Sequence, residues 1–100
     1  MYRERVVLMP TRESWPAAIE NARRLNEIAK VRGWQEATIW TQTFGPFNEI
    51  VIETDYPDLA TYEREHAEAS ADEETRDLRA EGRKYLRGDA MGHNELWERV

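Results

Sequence analysis

Cysteine is absent from the 100 residues, which removes thiol catalysis, disulfide staples and thiolate-held metals or iron–sulfur clusters while leaving the redox compartment open. Long apolar runs are missing as well. Near the N-terminus only the uncharged four-residue stretch Val6-Val7-Leu8-Met9 stands out, too short for a signal peptide's apolar region or a membrane span, so no membrane partner and a cytoplasmic setting are expected. There is no basic excess. The formal charge is −6 and arginine and lysine are interspersed with carboxylates, which argues against nucleic-acid phosphates or an anionic membrane surface as partners. Glycine-rich phosphate loops, a Gly-x-Ser-x-Gly elbow and a His-Glu-x-x-His helix do not occur, so most named enzyme classes lose their support. The acidic cluster Asp72, Glu73, Glu74, Asp77 and Glu81 has no histidine in phase, and no metal is expected there.

What is present reads as one globular domain. The chain is 40% apolar, with four tryptophans, four tyrosines and two phenylalanines, enough for a single two-layer core and too little for a second. The organising stretch is Trp34 to Tyr56: β-branched and aromatic residues in period two, interrupted at Gly45-Pro46-Phe47, predict a strand from Trp34 to Phe44, a tight turn, and a strand from Asn48 to Tyr56. Ala37, Ile39 and Thr41 share one face of the first of these strands, and Trp34, Glu36, Thr38, Trp40 and Gln42 the other. In the second, Ile50 and Ile52 oppose Glu49, Val51 and Glu53. A face that mixes Trp40 and Val51 with charges calls for a second cover, for which another copy of the chain is the economical source.

Tyr2 to Met9 predicts a strand ended by Pro10, with Tyr2, Val6 and Leu8 on one face and Arg3, Arg5, Val7 and Met9 on the other. Ser14 is a candidate N-cap for a helix whose stripe runs Trp15, Ala18, Ala22, Leu25, Ile28 and Ala29 and which stops at Gly33. Its outer face carries Glu20 before Arg24 and Arg23 before Glu27 at i,i+4, read as a solvated surface. After the hairpin, Tyr56-Pro57-Asp58 turns into a helix capped by Asp58, with the stripe Leu59, Tyr62, His66 and Ala69. A fresh cap at Ser70-Ala71-Asp72 is followed by Leu78, Gly82, Tyr85 and Leu86, so one kinked helix and two consecutive helices are both allowed. Gly88, Asp89 and Gly92 predict a loop that takes in His93 and Asn94, and Glu95 to Val100 a last strand.

This order gives an α+β fold of the ferredoxin-like βαββαβ type, a four-stranded antiparallel sheet with its helices on one face. A right-handed first crossover places the first strand beside the third, with the second and fourth at the edges.

The residues that follow this frame resemble the dimeric α+β barrel superfamily, within it the NIPSNAP-like proteins and their antibiotic-biosynthesis-monooxygenase relatives. The likeness covers nearly the whole chain. It rests on Trp34 opening the second strand, on Ile50-Val51-Ile52 leading to Tyr56-Pro57-Asp58-Leu59-Ala60-Thr61-Tyr62-Glu63, and on Ala71-Asp72-Glu73 restarting the helix. The resemblance implies a homodimer formed through the sheet face and a cavity in each subunit between sheet and helices. It spans cofactor-independent monooxygenases, haem-degrading enzymes and proteins of unassigned activity, among which fold does not decide. In haem-degrading relatives a histidine on the second helix works with a tryptophan and an asparagine. Here Tyr56 stands ten residues before His66 and the first strand carries no asparagine, so no haem or other cofactor is expected.

His66, an imidazole able to give and take a proton, lies one turn from Tyr62. Together they are the candidate proton-transfer groups, with Leu59, Trp40 and Tyr56 as candidate ligand-binding residues for a small aromatic or polyketide-like molecule. Each has a plain structural alternative. A histidine on an inner stripe also serves as a hydrogen-bond donor within the core, and Trp15, Trp34, Trp40 and Trp97 also serve as core or interface packing.

Overall fold

Alternation along the sheet strands and single stripes along the helices divide the chain into two layers. The computed structural model describes residues 1–45, 49–88 and 92–100. The elements are β1 (Tyr2–Leu8), α1 (Trp15–Arg32), β2 (Ala37–Thr41), β3 (Ile50–Tyr56), α2 (Leu59–Ala71), α3 (Glu73–Arg83) and β4 (His93–Glu98). The four strands form one antiparallel sheet in the order β2-β3-β1-β4, the arrangement expected of a right-handed first crossover. In register, Val6 of β1 stands between Ile52 of β3 and Asn94 of β4, and Glu4 between Thr54 and Leu96. These residues, with Ala37 and Ile39, form the face beneath the helices. The opposite face carries Arg3, Arg5 and Val7 on β1, Val51 and Glu53 on β3, Trp40 on β2 and Glu95 and Trp97 on β4.

Several expected boundaries shift, each for a local reason. The second strand begins at Ala37 rather than Trp34, because the Gln35 amide donates to Glu65 Oε1 at 2.7 Å and the Trp34 Nε1–H to Glu68 Oε2 at 2.8 Å. Those bonds hold the segment against α2. β4 starts at His93, so His93 and Asn94 belong to a strand and not to a loop; they pair with Val7 and Val6. Between the helices the chain breaks cleanly at Asp72 (φ −81°, ψ 117°), which selects two helices over one kinked one. Leu86, expected to continue the helical stripe, instead bridges Pro10 in antiparallel fashion beyond the end of α3. Pro46 and Phe47 of the expected turn, Asn48 at the start of the expected strand and Asp89 of the expected loop lie outside the described residues.

Helix ends explain themselves. Asp58 accepts from the Thr61 amide at 2.7 Å, a side-chain cap for α2. Ser14 precedes α1 but its hydroxyl caps nothing; its own amide donates to Thr11 Oγ1 at 3.1 Å, and Pro16 in the first turn needs no acceptor. Gly33 ends α1 at φ 76°, a left-handed position that favours glycine. On the helix surface the expected i,i+4 pairs are replaced by Arg23–Glu20 at 3.9 Å and by Arg24–Glu81 at 3.7 Å, the latter tying α1 to α3. Such exposed pairs contribute little each. Glycine is required at residue 92, where an added Cβ would collide with the Val7 carbonyl. No described helix is long and apolar enough to cross a membrane.

Asp72 binds three helices together. It accepts from the Thr75 amide at 3.0 Å and from Thr75 Oγ1 at 2.7 Å, capping α3, and from Arg32 Nε at 3.0 Å at the end of α1. The Thr75 hydroxyl and amide, then the Arg32 guanidinium, hold its carboxyl at about 2, below the ordinary 3.8. A folded value below the unfolded one contributes stability that is complete above about pH 4 and lost as the pH falls through the folded value. Thermal melts followed by circular dichroism should therefore show Asp72→Ala melting lower than the parent at neutral pH, with the gap closing on acidification to about pH 2. A gap that is constant across that window would refute this account of Asp72.

Candidate functional site

Alanine is the reason there is room beneath the helices. Ala18, Ala22 and Ala29 on α1, Ala69 on α2 and Ala37 on β2 face the interior, so the helices cover the sheet without filling the layer between. The result is a cavity of about 550 Å³, within the range of small-molecule pockets. Its apolar wall is completed by Val6, Leu8, Leu25 and Ile52. Polar groups enter from every element around it: Glu4, Thr54 and Asn94 from the sheet, Glu65 and His66 from α2, Asn21 and Asn26 from α1, Thr75, Arg79 and Arg83 from α3, and Gln35 ahead of β2. Asn21 is fixed by donating from Nδ2 to the Leu78 carbonyl at 2.9 Å.

The centre of the polar wall is Glu4 with His66. Glu4 is 7% exposed on the central strand, and His66 Nε2 lies 3.2 Å from its Oε1 and 3.1 Å from its Oε2. A carboxylate only accepts, so the nitrogen facing it carries the proton and Nδ1 is the ring's acceptor. Around the pair sit two phenols. The Tyr62 ring is 4.3 Å from the His66 ring, and Tyr56 meets Tyr62 edge-on at 5.2 Å. Burial pushes Tyr56 far above the ordinary phenol range, reinforced by the nearby Glu4 and Glu65 carboxylates and countered by a hydrogen bond with Thr54. Tyr62 moves the same way, through burial and then Glu4. Both therefore stay protonated as neutral donors. A second carboxylate, Glu65, is 5% exposed; it accepts the Gln35 amide and stands 3.7 Å from Arg64.

Of the residues singled out in the sequence, His66, Tyr62 and Tyr56 come together, with His66 and Tyr56 on the cavity wall and Tyr62 stacked behind. Leu59 is the first residue of α2, 42% exposed and away from the cavity lining. Trp40 lies across the sheet on the opposite face, 55% exposed beside Val51. Sequence reasoning passed over Glu4 and Glu65. Glu4 was detectable as a lone charge in phase with Tyr2, Val6 and Leu8, and Glu65 as a carboxylate three residues after Tyr62 in the helical stripe. Among the described residues no group of three histidine or acidic side chains is placed to hold a metal ion.

The sequence profile of the NIPSNAP family matches residues 11–89. The chain belongs to that family. Among solved structures it is similar to an uncharacterised NIPSNAP domain protein from Burkholderia xenovorans, with a TM-score of 0.80 and 16% identity over 100% of this chain and 95% of that one. A NIPSNAP protein of unknown function from Agrobacterium tumefaciens gives 0.78 at 20% identity, covering 97% and 86%. An antibiotic biosynthesis monooxygenase gives 0.78 at 17%, covering 100% and 99%. At these identities the likeness is one of fold, the α+β ferredoxin-like arrangement. No curated protein matches.

The Glu4 charge reaches both phenols, which gives this NIPSNAP protein a spectroscopic handle. In Glu4→Gln the alkaline transition of Tyr56, followed by phenolate absorbance, should move down, yet stay above that of an exposed tyrosine because burial is the larger cause. An unchanged transition would mean that Glu4 does not set the field in this cluster.

Proposed function

We propose that this NIPSNAP protein binds a small, largely apolar or aromatic organic molecule in the cavity between helices and sheet. The observation that carries the reading is the alanine-lined space of about 550 Å³ with the Glu4–His66 pair on its wall. An apolar volume with a few convergent polar groups is the usual form of a small-molecule site, the apolar wall supplying affinity and the polar pair orientation. Tyr56 adds a neutral hydroxyl on the same wall.

A second reading, a cofactor-independent monooxygenase or related enzyme of a biosynthetic pathway, is favoured by the way His66 is held. A histidine whose Nε2–H is fixed by a carboxylate presents Nδ1 as a general base, the arrangement needed to remove a proton from an activated carbon or hydroxyl. The fold is shared with a protein described as an antibiotic biosynthesis monooxygenase. In that reading His66 takes the substrate proton, Glu4 stabilises the imidazolium, and the neutral Tyr56 hydroxyl donates to the developing anion.

The partner is a second copy of the chain, seated on the open sheet face. Trp40 on one edge strand and Trp97 on the other are each 55% exposed, with Val7 and Val51 between them. Several polar groups there are already partnered: Arg3 with Asp55 at 2.8 Å, Arg5 with Glu53 at 2.9 Å and the His93 ring with Glu95 at 2.8 Å. A twofold copy covers the tryptophans on both subunits while these pairs stay intact.

Two measurements test these readings. With naphthamide as the ligand in calorimetry, His66→Ala should bind about tenfold more weakly, the loss of one good hydrogen bond, while the fold persists. A variant that loses about 1–3 kcal/mol of stability but keeps its affinity would make His66 a structural partner of Glu4 and remove it from the site. For assembly, sedimentation of the parent at micromolar concentration should give the dimer mass and Trp40→Glu the monomer mass; a parent that is monomeric throughout would exclude the second copy.

A further inference from the structure

Resting on the cavity as a ligand site, one feature of its mouth specifies the ligand further. Arg79 and Arg83 of α3 and Asn94 of β4 line the cavity and are exposed, so they mark where it opens to solvent. The two arginines are four residues apart, one helical turn and about 6 Å along the axis, hence on one face. Neither guanidinium makes an ion pair or hydrogen bond with any described residue. Among other helical arginines Arg24 is matched by Glu81 and Arg32 by Asp72 and Glu74, whereas Arg76, also without an ion pair among the described residues, does not line the cavity. Arg83 also complements the last turn of α3, but that electrostatic role needs only one cation and does not need it at a cavity rim.

The same lining also carries the opposite sign. Glu4 and Glu65 are 7% and 5% exposed, and their ion-pair partners are His66 and Arg64, not Arg79 or Arg83. The protein as a whole carries −6, so its general field repels anions and only a local pair of cations would select one. We infer that Arg79 and Arg83 form the anion-recognising end of the cavity and that the ligand is an organic acid. Its carboxylate sits between the two guanidinium groups, its apolar body lies against the alanines and Ile52, and its far end points a hydroxyl or other donor at Glu4. Guanidinium groups suit this task because they offer several donors in a plane that matches a carboxylate. The buried carboxylates exclude the reversed pose, so charge alone fixes the ligand's orientation.

Calorimetry with naphthoate and naphthamide, equal in shape and different in charge, tests the assignment on the intact protein. The parent should bind naphthoate about tenfold more tightly than naphthamide at low ionic strength, a preference that shrinks as salt is added. Arg79→Gln combined with Arg83→Gln should bring naphthoate to the level of naphthamide and leave naphthamide unchanged; both positions are exposed, and circular dichroism checks that α3 is retained. In the charge-reversed pair, Arg79→Glu with Arg83→Glu, naphthoate should bind more weakly than naphthamide. Equal affinities in the parent, or a preference that survives the double glutamine variant, overturn the anion site and leave the cavity reading standing. Binding of neither compound overturns both.

Discussion

A carboxylate on the central strand of a sheet, beneath a layer of helices, has to find a donor, and Glu4 finds it in His66. Once that bond is made, much else is constrained. His66 must face the sheet, so α2 is fixed in rotation about its own axis, and Glu65, one residue earlier, is turned toward the start of β2, where it takes the Gln35 amide. The aromatic rings follow, since Tyr56 leaves β3 beside Glu4 and Tyr62 precedes His66 by a turn. Removing one member strands the other: a buried polar group left without its partner costs roughly 1–3 kcal/mol. The polar wall is thus both a structural clamp and the chemically equipped side of the cavity.

Small residues complete the arrangement. Had the inward positions of α1 been leucines, the layer between helices and sheet would be filled, and the Glu4–His66 pair would sit in a closed core. Alanines leave the helices at the same place, because their spacing is set elsewhere: by the buried Asn21 on the Leu78 carbonyl and by Asp72, which takes both Thr75 and Arg32. Hydrogen bonds and ion pairs between helices hold the roof while the space under it stays open.

The fold was legible because periodicity reports faces. Strand alternation, the stripe of α1 and the caps at Asp58 and Asp72 survive in the structure, and the strand order follows from the handedness of one crossover. Boundaries were less legible where side chains from distant elements take backbone groups, as Glu65 does at Gln35. The site was half legible. His66, Tyr62 and Tyr56 could be found because they recur at helical spacing or end a strand, but the groups that give them meaning, Glu4 and Glu65, lie 62 residues away from and next to His66 respectively. A charged residue within a strand reads as solvent-facing until register shows which side of the sheet it joins. Trp40 and Leu59 lie outside the cavity, since apolar character alone does not say which surface a residue joins.

The position of β1 bears on how the chain acquires this shape. It precedes β2, β3 and β4 in the sequence and is a central strand of the sheet, paired with β3 on one side and with β4, some ninety residues later, on the other. The β3 partnership can form as soon as the hairpin region emerges, and α2 then brings His66 over Glu4. The second edge of β1 meanwhile offers open backbone donors and acceptors until the last strand arrives. Until β4 pairs, the sheet has three strands and a bare edge on β1, and an exposed edge of that kind can pair with another chain.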